Sequence, residues 1–178
     1  YIYALLHAST YRSRYAEFLR ADFPRVPLTR DLSLFQALVT RGSELVGLHL
    51  LTAPSLATPI TRYPVPGSNL VEPGHPRYLT PGSPEPGTGR PVSQGRVYVS
   101  SDDPKRGKQG QYLEGVTPEI WEFRVGGYQV CEKWLADRRG RTLSNNELTQ
   151  YERIVVALSE TIRLMGEIDA LIPSWPLP

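Results

Sequence analysis

WEFRVGGYQVCEKWLADRRGRTLSNNELTQYERIVVALSETIRLM, residues 121–165, carries both periods of a mixed fold in one run. Trp121, Phe123 and Val125 alternate with Glu122 and Arg124, the two-residue period of a half-buried strand whose polar face points outward, and Gly126-Gly127 ends it. Tyr128 to Asp137 has helical composition, with Gly140 as its stop. Ser144 followed three residues later by Glu147 is a capping box, in which each side chain takes up the other's free backbone N–H. Beyond it, Leu148, Tyr151, Val155, Leu158, Ile162 and Met165 trace one apolar stripe, and Pro173 closes the helix.

Working upstream, Arg96 to Val99 reads as a strand, Asp102 to Gly110 as a charged, glycine-bearing turn, and Gln111 to Val116 as the returning strand. These elements predict an α+β fold: a small antiparallel sheet carried on helices, with a long C-terminal helix. Residues 54–95 hold ten of the 17 prolines and read as loop. Arg62, Arg77 and Arg90 with Tyr63 and Tyr78 sit there, where a partner contact and a plain surface excursion both fit. Residues 1–53 read as helical. One interrupted helix or two short ones, restarting at Ser9 or Thr10, fill the first 20 positions. Two prolines make Asp22 to Leu28 an extended connector. Thr29 then caps a helix that runs to about Leu51, in two pieces or bent, through Gly42 as a C-cap or a close packing point.

At 178 residues the chain suits one domain, divided here into 1–53, 54–95, 96–143 and 144–172. A single cysteine, Cys131, excludes an internal disulfide and suits a reducing, cytoplasmic compartment. No apolar run is long enough for a membrane span, and the absence of an initiator at Tyr1 suggests a piece of a longer protein. Catalytic signatures are missing as well. His7, His49 and His75 lie in separate elements without ligand spacing, and His49, on an apolar helix face, reads as a core histidine. The sequence contains neither a phosphate loop nor a glycine-rich cofactor turn, and no base-flipping methyltransferase motif. Cys131 reads as a structural thiol. The chain is therefore expected to be non-catalytic and to hold no metal or cofactor.

The net charge of +2 hides an uneven distribution. Residues 142–178 carry 2 basic and 5 acidic side chains, so the last helix would be repelled by phosphates and is a scaffold element. Residues 96–141 carry 9 basic and 7 acidic side chains, with the basic ones clustered at Lys105, Arg106 and Lys108 and at Lys133, Arg138, Arg139 and Arg141. With Arg96, Arg124 and Gln129 these form the candidate contact set. Lys105, Arg106, Lys108, Arg138, Arg139 and Arg141 suit phosphates, for which a solvated surface is the competing reading. Arg124 and Gln129 have the chemistry to read guanine and adenine. The competing reading has Arg124 paired to a local carboxylate and Gln129 bracing the turn.

The run 121–144, with DFPRVPLT at 22–29, LVGLHLL at 45–51 and YERIVVALSETI at 151–162, resembles the C-terminal specificity region of the single-polypeptide Type I (Type ISP) restriction-modification enzymes. YIYALLHASTYR at 1–12 is similar to the helical join that follows their methyltransferase domain. The resemblance implies a target-recognition domain that reads a short sequence in double-stranded DNA. Methyltransferase and helicase-nuclease domains upstream in the same polypeptide would do the chemistry, and GGYQVCEKWL at 126–135 would be architectural. The alternative is a docking domain that positions the methyltransferase without reading bases.

Overall fold

In the computed structural model, which describes residues 1–103 and 109–177, the chain opens with three short helices: α1 (Ile2–His7), α2 (Ser9–Arg14) and α3 (Ala16–Ala21). The break at Ala8 is extended backbone. The restart at Ser9 is as the sequence suggests, but its orphan N–H groups are taken by a carboxylate from far along the chain. Asp169 accepts from Ser9 N at 3.1 Å, Thr10 N at 3.0 Å and Thr10 Oγ1 at 2.6 Å. A second break at Tyr15, with φ −105°, makes three helices where one or two were expected.

The proline-rich connector is extended as expected, and tyrosines tie it down: Tyr1 Oη donates to Pro27 O at 2.6 Å and Tyr11 Oη to Arg25 O at 2.8 Å. Helix α4 (Leu32–His49) is capped by Asp31, which accepts from Ser33 N and Leu34 N, rather than by Thr29. Thr29 Oγ1 instead accepts from Asp31 N at 3.0 Å and so orients the cap. The helix runs unbroken through Gly42, where an added Cβ would lie 3.2 Å from Ala4 N, so Gly42 is a packing point and not a stop. Ala4, Leu5 and Ala8 bury against Leu38, Leu45 and Leu48 in a compact unit made of Tyr1–Leu56 and Ser159–Pro178.

The other unit, Ala57–Leu158, is built on a three-stranded antiparallel sheet of β1 (Arg77–Leu79), β2 (Arg96–Tyr98) and β3 (Tyr112–Glu114), in that order. β2 and β3 fall where the sequence placed them, with Arg96 opposite Glu114 and Val97 opposite Leu113. β1 arises within the segment expected to be loop, and Val71 and Val92 of that segment are buried. The strand expected at 121–125 is mostly absent. Thr117 caps and Pro118 opens a short helix α5 (Pro118–Glu122), which takes Trp121 and Glu122. Only β4 (Arg124–Val125) remains extended, paired with β5 (Tyr128–Gln129) across a two-residue turn where Gly126 and Gly127 both have positive φ. Helix α6 (Val130–Ala136) follows, two residues later than its composition suggested.

Helix α7 (Asn145–Leu171) begins at the expected capping box: Glu147 Oε2 accepts from Ser144 N at 3.0 Å and Ser144 Oγ from Glu147 N at 3.3 Å. Tyr151, Val155 and Leu158 bury as expected. Past Leu158 the buried line runs through Thr161, Leu164 and Ile168, while Ile162 and Met165 are half-buried. Up to Leu158 the helix belongs to the sheet-bearing unit and from Ser159 to the helical one, so its apolar face need not continue in one register. The fold is α+β. Among the described residues no helix is long and apolar enough to cross a membrane.

Gly95 marks the tightest approach in the sheet-bearing unit, because a Cβ there would collide with the Val116 carbonyl and the Tyr78 hydroxyl. These two groups hydrogen-bond each other at 2.9 Å and cannot move apart without losing that bond. We expect Gly95→Ala to cost about 3 kcal/mol in thermal or denaturant unfolding. Wild-type stability in that variant would contradict the packing described.

Candidate nucleic-acid interface

Glu114 closes the buried strand β3 with its side chain only 5% exposed, so its carboxylate needs cationic partners. It finds two. Arg96, opposite it on β2, donates from Nε to Oε1 at 3.0 Å. Arg62 donates from Nε to Oε2 at 2.8 Å and places Nη2 2.6 Å from the same oxygen. The backbones of Arg62 and Glu114 also exchange both hydrogen bonds, N to O at 3.1 and 2.9 Å, as an antiparallel bridge.

The two arginines differ in what remains free. Arg96 is 13% exposed, is also paired through Nη1 to Glu85, and stacks its guanidinium 4.4 Å from the Tyr112 ring. Its place among the DNA-contact candidates rests on sequence, and the structure places it inside an ion-pair network. Arg62 keeps 74% of its side chain exposed. Hydrogen bonds from Arg96 and then Thr88 hold the Glu85 carboxyl below the ordinary carboxylate range. A lowered pKa means stability that is fully present above the unfolded value and lost as pH falls through the folded one. Unfolding followed between about pH 6 and about pH 3 should therefore show a shallower acid limb in Glu85→Gln than in wild type. Parallel limbs would mean that the pair adds nothing.

The second group of candidates surrounds the β4–β5 turn and α6. Arg124 Nη1 donates to Gly127 O at 2.9 Å across the turn, and Gln129 Nε2 to Trp121 O at 3.2 Å at the end of α5. Gln129 thus braces the turn as the competing reading has it, whereas Arg124 braces it through a backbone carbonyl and not the carboxylate expected, and Val125 and Tyr128 beside them are 61% and 63% exposed. Lys133 pairs with Asp137 one turn on. Arg138 lies 3.5 Å from the Trp134 ring centroid, donates to Trp134 O at 2.9 Å and stands 3.5 Å from Glu147 Oε1. Arg141 reaches the same oxygen at 3.1 Å, and Arg139 Nε donates to His75 O. Capping hydrogen bonds from Ser144, and then these arginines, lower the Glu147 pKa. Arg138, Arg139 and Arg141 are thus brought together at the end of α6, and of these Arg139 and Arg141 are exposed. Lys105, Arg106 and Lys108 lie outside the described residues.

Sequence reasoning left Arg62 in a proline-rich excursion and did not single out Glu85 or Glu114. The signal available was Glu114 itself, a charge between Leu113 and Val116 in an otherwise apolar strand. Among the described residues no group of three His, Cys, Asp or Glu side chains converges as metal ligands. Cys131 is fully buried, and burial pushes its thiol pKa up to about 12. We expect no reaction with a thiol reagent at neutral pH until the protein is unfolded. Rapid labelling of the folded chain would show that the site opens.

A family model described as the Type ISP C-terminal specificity domain matches residues 1–167. The chain belongs to that family. Solved structures share the specificity-domain fold at low identity. A nuclease-deletion mutant of the Type ISP restriction-modification enzyme LlaGI, in complex with a DNA substrate mimic, superposes with a TM-score of 0.59 at 20% identity over 99% of this chain. The ATP-dependent Type ISP enzyme LlaBIII, bound to DNA, gives 0.57 at 17% identity over 100%. A DrdV–DNA complex gives 0.58 at 19% identity over 93%. The specificity domain spans 14%, 11% and 17% of those three chains respectively. No curated protein matches the sequence.

Proposed function

We propose that this specificity domain recognises a short sequence in double-stranded DNA on behalf of a larger restriction-modification enzyme. In this reading methylation, ATP-driven movement and cleavage belong to methyltransferase and helicase-nuclease domains of the same polypeptide. This chain then needs no cofactor, and it works in the cytoplasm where the DNA is. The observation that carries the reading is the match to a specificity domain over nearly the whole chain, supported by the fold held in common with three proteins seen with DNA or a DNA substrate mimic.

The near-neutral charge, +2, fits a domain that shares the duplex with a larger body and does not grip it alone. Phosphate contacts fall to Arg139 and Arg141 with Arg138 behind them, and to Lys105, Arg106 and Lys108. Base contacts need oriented donors, for which Arg124 and Gln129 are candidates already engaged in holding their turn. A docking role stays in view for a specific reason: Phe18, Phe23, Leu28 and Leu32 of the helical unit are exposed, a composition suited to a protein neighbour.

The test uses the full-length polypeptide. Selection from a random-duplex library should return one short sequence. Arg138, Arg139 and Arg141 replaced together by Gln should then weaken binding equally on all duplexes, and flatten the log–log salt slope by about 0.9 for each phosphate that is no longer neutralised. Changed base preference at an unchanged slope would reverse the assignment, and selection of no sequence by the wild type would leave the docking role.

A further inference from the structure

We propose that Arg62 reads a guanine, with the buried carboxylate of Glu114 as the group that aims it. This deepens the reading of the domain as a DNA-recognition module and rests on it. A guanidinium has two edges from which it can donate in pairs. One edge, Nε with the adjacent Nη, is given to Glu114 Oε2 at 2.8 and 2.6 Å. The end edge, formed by the two Nη groups, is the one that can donate to O6 and N7 of guanine in the major groove. Among the described residues Nη1 of Arg62 meets no partner, and 74% of the side chain is exposed.

Arg141 and Arg163 are also exposed and also pair with glutamates, but with carboxylates that are themselves 22% to 35% exposed; what separates Arg62 is that its carboxylate is buried and its backbone is bridged to the same residue. Arg77 and Arg124 donate to single backbone carbonyls, at 3.3 and 2.9 Å, and those bonds are exposed. Arg62 is anchored at its backbone by the bridge to Glu114 and at its tip by the same residue's carboxylate. That carboxylate is fixed in turn: it is buried and its other oxygen is engaged by Arg96, itself braced by Glu85 and the Tyr112 ring. Thr61, next to Arg62, is buried, and Gly115, next to Glu114, lies so close to Ile60 O that a Cβ would stand 2.9 Å away. The loop carrying Arg62 therefore has little room to shift.

Charge does not explain the arrangement. Arg62 and Arg96 are matched by Glu114 and Glu85, so the network adds no net attraction for phosphate. A phosphate contact is served by a mobile side chain that brings positive charge without orientation. Reading a base edge needs the opposite, a fixed fork whose ordering entropy is spent before the duplex arrives.

The test uses the full-length polypeptide and the duplex that it selects from a random library. Single-base variants of that duplex are assayed against wild type, Arg62→Gln and Arg62→Lys, with 7-deazaguanine replacing each guanine in turn to delete its N7 acceptor. We expect wild type to lose about 10- to 100-fold in affinity at one guanine when that base is changed, Arg62→Gln to lose that preference for guanine, and Arg62→Lys, whose ammonium lacks the held fork, to keep only part of it. Deleting N7 at the same guanine should weaken wild type and leave Arg62→Gln unaffected. Arg62→Lys should keep the wild-type salt slope, since it keeps the charge. Thermal unfolding of each variant separates a failure to fold from a failure to read. Unaltered discrimination at every position in a folded Arg62→Gln protein overturns the assignment, as does an equal weakening on all duplexes with a flatter salt slope. A wild type without sequence preference instead defeats the DNA-recognition reading beneath it.

Discussion

Removing a carboxylate from water costs several kcal/mol even after the protein relaxes around it, and a buried ion pair returns that cost only with well-placed partners. Glu114 imposes this condition on the sheet-bearing unit. Its partners arrive from two directions, Arg96 from the neighbouring strand and Arg62 from a segment 52 residues away in sequence. Meeting both fixes more than two side chains. The Arg62 backbone becomes an extra rung against β3, Arg96 is drawn over the Tyr112 ring, and Glu85 is pulled in to answer the charge left on Arg96. The proline-rich stretch already joins the sheet through β1, and these ion pairs tie it down at two further points, Arg62 and Glu85. Stability is the smaller part of this, since buried pairs are often no better than apolar replacements. Their strength is that an alternative register would leave a charge unmet.

Periodicity and capping chemistry carried the long-range plan of the fold. The Ser144–Glu147 box and the paired strands at 96–99 and 111–116 are local signals read by local rules, and they stand. Where the sequence reading failed, two local signals competed. Trp121, Phe123 and Val125 alternate as a strand would, yet Thr117-Pro118 just before them is a helix start, and the cap prevails because one turn of helix satisfies N–H groups that a lone extended segment leaves open. The start of α2 was read at the right place, but what caps it was not legible. Its cap, Asp169, lies 160 residues from Ser9, and no local window contains it.

The candidate site was legible as composition and illegible as geometry. Arg138, Arg139 and Arg141 do gather at one helix end, as their spacing implied. Whether a charge is available is another matter, because it depends on which carboxylates the fold brings near from other elements: Glu85 for Arg96, Glu114 for Arg62, Glu147 for Arg138 and Arg141. Glu147 was identifiable as a cap, and its second use, collecting two arginines, follows from where α6 ends. Counting basic residues overrates Arg96, which is enclosed, and underrates Arg62, which stands in a stretch that looks featureless.

On the function proposed, this distinction bears on how a nearly neutral domain would recognise DNA at all. Affinity for a duplex comes mainly from neutralised phosphates, and a net charge of +2 supplies little of it. Discrimination between bases asks for a few donors held at fixed angles, and each such donor is best held by an opposite charge behind it. A specificity domain built this way accumulates carboxylates along with its arginines, and its net charge falls as its orientation improves. Here the supporting carboxylates are Glu85, Glu114 and Glu147, and only Glu114 lies within 96–141, so the charge count of one segment does not measure how well its arginines are held: the support is set by the fold and not by the local run.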